Sequence, residues 1–145
     1  EEHQQEEQLQ QRRLSTEMFA GMPYKTMAVD INSMVFSQKS IQNRFSNGLP
    51  LSSLLDDLAA HRVDPMLHND LVLEAVFIPT GPNGGVYRSL DNRRLKCMKT
   101  CYNVHGHPDQ VRLKVFQPTD HLSRKMLRNT DVELRYDVEV RGGLI

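Results

Sequence analysis

The chain has 145 residues, enough for one domain with a proper core, and an ordinary apolar fraction of 39% without tryptophan. Its 18 basic and 18 acidic side chains cancel, and the pI is near 7.3, which excludes a general polyanion binder. No apolar run reaches the length of a membrane span, and no signal peptide is visible. That points to an intracellular protein, cytoplasmic or nuclear, with organellar targeting left open.

Residues 1–23 are polar and rich in Gln and Glu, and they read as a tail or a polar helix ending at Gly21-Met22-Pro23. Residues 24–145 read as a single folded domain. Met27, Val29 and Ile31 alternate with polar or small residues, which predicts a strand. From Ser37 to Phe45 the spacing of Ile41 and Phe45 predicts a short helix. Leu51, Leu54, Leu55 and Leu58 form the apolar stripe of an amphipathic helix with Pro50 at its start. Asp56 and Asp57 on that helix point in different directions and read as a solvated face.

Leu71–Ile78 is an apolar run broken only by Glu74 and predicts a buried strand. Pro79–Gly85 predicts the loop of a hairpin whose return strand is Val86–Leu90. A helix is predicted from Asp91 to about Tyr102, with Leu95, Met98 and Tyr102 facing the core. Cys97 and Cys101 share one face of it, a poor geometry for a disulfide. Cys101, His105 and His107 have spacings compatible with zinc, but without the usual tight signature. His105-Gly106-His107-Pro108 breaks the helix. Val111, Leu113 and Val115 predict another strand, and Thr119 or Asp120 starts a short helix through Leu127. Asp131–Arg141 alternates without error and predicts one long strand, Val132 to Val140 on its apolar face. That strand either curls over its own core or adds to another chain, giving a protein partner or a homo-oligomer.

The chemistry concentrates at the step from Val86–Leu90 into the helix. Asp91 is placed as an N-cap, its carboxylate accepting from the first-turn N–H groups. Arg93 and Arg94 then stand where a helix start already favours an anion. Ser89 lies beside them. Residues 88–99 carry Arg88, Arg93, Arg94, Lys96 and Lys99 against Asp91 alone, and Arg112, Lys114, Arg124, Lys125 and Arg128 form a second basic stretch. Either stretch could meet a nucleic-acid backbone.

Ile31, Arg44-Phe45, Leu51 to Leu58, Val76-Phe77-Ile78 and Tyr87 to Leu95, in that order, resemble the ParB/sulfiredoxin superfamily over about Val29–Phe116. The resemblance implies an α+β fold, a small mixed sheet with packed helices. It implies a nucleoside triphosphate, with Mg2+, as ligand. Leu90-Asp91-Asn92-Arg93-Arg94-Leu95 falls where ParB members carry Gly-Glu/His-Arg-Arg, so Asn92, Arg93 and Arg94 become the phosphate ligands. Ser89 flanks them, and Arg44 resembles an accessory arginine. Asp91 becomes the metal ligand or base for phosphoryl transfer or phosphodiester hydrolysis. Asn92 falls where sulfiredoxins carry their cysteine nucleophile, and an amide cannot replace a thiolate, so sulfinic-acid reduction is excluded. No counterpart of the ParB helix-turn-helix follows Phe116. The alternatives are a non-catalytic protein-interaction or scaffold module, or nucleic-acid binding through the basic stretches.

Overall fold

The computed structural model describes residues 23–117 and 134–143. In chain order the elements are β1 (Tyr24–Asp30), β2 (Met34–Phe36), β3 (Ser40–Gln42), α1 (Leu51–Ala59), β4 (Leu73–Gly81), β5 (Gly84–Ser89), α2 (Asn92–His105), β6 (Gln110–Phe116) and β7 (Glu139–Arg141). Single 3-10 turns at Ile31–Ser33 and Asn69–Leu71 lead into β2 and β4. The fold is α+β. Five strands form one mixed sheet in the order β1-β6-β4-β5-β2, and β3 pairs with β7 in a separate parallel pair.

Period-2 alternation decides which face of the sheet carries the core. Leu73 and Ala75 of β4 lie opposite Leu113 and Val115 of the parallel β6, and Val29 and Met27 of β1 lie opposite Val111 and Leu113. These side chains meet Leu51 and Leu58 of α1 and Leu95, Met98 and Cys101 of α2 in one continuous core. Leu54, Leu55 and Tyr102 pack at its margin, so both predicted helix stripes face inward. The opposite face has a smaller cluster, with Val76 and Phe116 buried and Ile78 and Leu90 against them.

Several expectations change on contact with long-range structure. The segment 37–45 forms no helix. It holds β3, whose Ile41 is buried opposite Val140 of β7. The period of four between Ile41 and Phe45 was a coincidence of two separate contacts. The hairpin loop is shorter than Pro79–Gly85, because β4 continues to Gly81 and Pro79 pairs with Gly85, leaving Pro82 and Asn83 as the turn. Helix α2 runs past Tyr102 to His105, where Gly106 takes the left-handed conformation and its N–H bonds the Tyr102 carbonyl.

The long C-terminal strand is not continuous. Within the described part, Arg135 makes one isolated bridge to Phe36, and only Glu139–Arg141 is strand. Between them Asp137 turns back. Its carboxylate accepts from Val138 N–H and from Lys96 Nζ, both at 2.8 Å, which removes it from any ladder. Lys99 Nζ donates to the Tyr136 carbonyl nearby. β7 pairs with β3 of its own chain. The expected helix from Thr119 or Asp120 to Leu127, the tail 1–22 and Val132 lie outside the described residues.

The hairpin itself depends on Gly85. A Cβ there would meet the Ile78 carbonyl oxygen and lie 2.5 Å from Phe77 Cζ, on the ring that packs at a tilt against Tyr87 with centroids 5.3 Å apart. Gly85→Ala is expected to cost about 1–3 kcal/mol by forcing the strand pair apart, measured by urea unfolding.

Candidate functional site

The joint between β5 and α2 is built by side chains that bond backward to strands. Ser89 is buried, and its hydroxyl accepts from Asp91 N–H at 2.9 Å. Leu90 N–H bonds the Glu74 carbonyl at 2.8 Å. Asp91 sits at the N-cap position of α2 but does not cap it. Its carboxylate accepts from the Glu74 N–H of β4 at 2.6 Å and pairs with Arg94 at 2.7 Å. The expected capping role of Asp91 is therefore corrected: Arg94, one turn on, and the strand N–H draw the carboxylate away from the helix axis. Helix α2 starts with no side-chain cap.

Asn92 is buried. Its Oδ1 accepts from Ser37 N–H at 3.0 Å and its Nδ2 donates to Ser37 Oγ at 2.9 Å, tying α2 to the chain after β2. Arg93 Nη1 donates to the Arg44 carbonyl at 2.7 Å, and Arg94 Nη1 donates to the Asp70 carbonyl. Arg44 thus reaches the site through its backbone, while its guanidinium bonds the Gly48 carbonyl at 2.8 Å.

A cleft of about 650 Å3 opens on this first turn. Asn92, Arg93 and Arg94 form its floor. The turn after β3 supplies Phe45, Asn47 and Leu49, and α1 supplies Ser53, Leu54 and Asp57. Asp70, Leu71, Glu74, Leu90 and Asp91 close the remaining side. The structure brings Asp91, Asn92, Arg93 and Arg94 together in the cleft, but neither Ser89 nor Arg44 lines it.

The lining is more acidic than its two arginines alone would make it, with carboxylates at Asp57, Asp70, Glu74 and Asp91. Burial pushes the Glu74 carboxyl above its ordinary value, and the neighbouring Asp91 charge adds to this, against the pull of Lys114 and Arg94. Sequence reasoning passed over Glu74, Asp70 and Asp57. Glu74 had left a signal as the sole charge inside an apolar strand run. Asp57 had not: it reads as a solvated carboxylate, and it pairs with Arg62 at 2.8 Å while lining the cleft.

The cysteines play no part in the cleft. Both are buried and free, Cys97 Sγ donates to the Leu51 carbonyl at 3.3 Å, and burial pushes its thiol up to about 12. Among the described residues no group of three His, Cys, Asp or Glu side chains is placed to hold a metal ion, and no helix is long and apolar enough to cross a membrane.

No protein-family model, curated protein or solved structure matches the chain. The ParB/sulfiredoxin resemblance therefore stands on its quoted residues alone.

Two substitutions test the joint. Asp91→Ala removes the acceptor of a β4 N–H and the partner of Arg94, and is expected to cost about 2–3 kcal/mol in urea unfolding. Glu74 holds its proton more tightly folded than unfolded, so its ionisation opposes folding at neutral pH. Glu74→Gln should stabilise the protein at pH 7, and the gain should vanish as pH falls through the folded value toward 4.5. Unfolding at pH 7 and pH 4 reads both.

Proposed function

We propose that the cleft binds a small phosphate-bearing ligand, of the nucleotide class, in a domain of the ParB/sulfiredoxin-like type. One observation carries this reading: the cleft is lined by the first turn of α2, where the N-cap residue Asp91 turns its carboxylate to β4 and Arg94 instead of capping the helix. Helix-start N–H groups and the positive end of the helix favour an anion. Arg93 and Arg94 add guanidinium donors beside it. Phe45, Leu49 and Leu54 on the opposite wall supply an apolar surface on which a base can rest. Ser89 and Arg44 support the site from behind, through the hydroxyl under Asp91 and the carbonyl under Arg93.

Mg2+ carried in by a triphosphate would offset charge between the phosphates and the carboxylates of Glu74 and Asp91. For phosphoryl transfer or phosphodiester hydrolysis, Asp91 would have to exchange Arg94 and the Glu74 N–H for metal or substrate. Binding without turnover is therefore the function proposed.

The excess of carboxylates in the lining favours a second reading, the protein-interaction module, with a basic peptide segment as the partner. The same excess opposes a nucleic-acid backbone. Arg112, from the second basic stretch, is already bound to the Pro65 carbonyl, and Lys114 lies over the Tyr24 ring at 4.2 Å.

Thermal unfolding with ATP, CTP, GTP and ADP, with and without Mg2+, separates the readings. A nucleotide at a hundred times its Kd should stabilise the protein by about 2.7 kcal/mol, a shift of several degrees, and Arg93→Ala should weaken it. No shift with any nucleotide, together with a shift from an oligo-arginine peptide, would establish the second reading instead.

A further inference from the structure

Three histidines from two parts of the chain meet at the C-terminal ends of the two helices. His61 follows α1, His105 closes the last turn of α2, and His107 leads toward β6. The rings of His61 and His107 stack with centroids 4.1 Å apart and planes at 21°. The His105 ring lies 5.9 Å from that of His107. His61 is held in the left-handed region at φ 57°, the single non-glycine residue among those described with a positive φ. An L side chain adopts that conformation reluctantly, so the surrounding contacts must hold it there.

We propose that this histidine stack is an acid-responsive latch that fastens the end of α1 to the loop after α2 and opens when more than one ring is protonated. A stack of neutral imidazoles, or one carrying a single proton, has no like-charge repulsion. Two protonated rings at this separation repel. Among the described residues, the charges that act on His107 are those of His61 and His105, both of one sign. The basic neighbour of His61, Arg62, is already paired with Asp57 at 2.8 Å. Burial, then His61, then His105, holds His107 below the ordinary histidine value of 6.5. A depressed histidine stabilises the fold above that value, and the contribution is lost as pH falls below it.

The latch has a mechanical reach. His61 N–H bonds the Leu58 carbonyl, and the next N–H, of Arg62, bonds the carbonyl of Asp57 at 2.9 Å. Asp57 lines the cleft, so release of the stack loosens the turn that sets one of its walls. The latch itself does not depend on what the cleft binds.

Proton NMR titration of the histidine C2–H signals, on the full chain from pH 8 to 5, tests this. Thermal unfolding over the same range accompanies it for wild type, His61→Asn, His107→Gln and His68→Gln, a histidine outside the stack. The expected result has His107 titrating below the usual range in wild type and returning toward it in His61→Asn, which keeps a residue tolerant of positive φ. The fall in Tm on acidification should flatten in His61→Asn and in His107→Gln but not in His68→Gln. Should His61→Asn fail to fold, the His107 signal in His105→Gln makes the same comparison, because His105 is the other charge that lowers it. An ordinary titration of His107 in wild type, or a pH dependence of Tm unaltered by the stack variants, would overturn the proposal.

Discussion

The Asp91 carboxylate is the constraint on which this architecture turns. It binds the N–H of Glu74 in β4 and the guanidinium of Arg94 in α2, and the Asp91 N–H is held in turn by Ser89 at the end of β5. Three elements are thus pinned at one residue. A charged acceptor on a backbone donor is stronger than a neutral one, and the half-buried position limits screening by solvent. The same contacts withdraw the carboxylate from the helix start and leave α2 uncapped over the cleft. The joint that holds the fold and the cleft at the start of α2 both follow from one side chain's direction.

The arginines show the same economy. Arg93 reaches the carbonyl of Arg44 and Arg94 that of Asp70, so each ties α2 to a different segment of the chain. An anion bound at the helix start, as proposed above, would meet guanidiniums whose orientation is already restricted, which lowers the entropy of recruiting them. It also meets an acidic surround, and the balance between these two features decides which charge the cleft accepts.

Much of the fold was legible because its signals are local. The Leu stripe of α1, the strand-to-helix step at Ser89–Asn92 and the alternation in β6 each follow from neighbouring residues. That Arg93 and Arg94 stand in the first turn of α2 followed from the same local signals. The misread parts depend on partners far along the chain. Ile41 is buried by Val140, and Asp137 leaves its strand for Lys96, neither of which any window around them contains. The direction of Asp91 was hidden likewise, since a residue at that position caps its own helix unless a strand N–H competes for it. Glu74 was visible as an anomaly, but its meaning appears only beside Asp91.

The pairing of β3 with β7 has a consequence for how the molecule is made. Ser40 lies opposite Glu139, about a hundred residues later. On a ribosome, β3 has no partner until almost the whole described chain has emerged. Contacts of such separation close late, because a long loop must be ordered before they repay it. The core of α1, α2 and the β4–β5 hairpin can assemble from nearer segments while Ile41 still waits for Val140. The wall of the cleft that begins at Phe45, shortly after β3, is therefore among the last surfaces to acquire its shape.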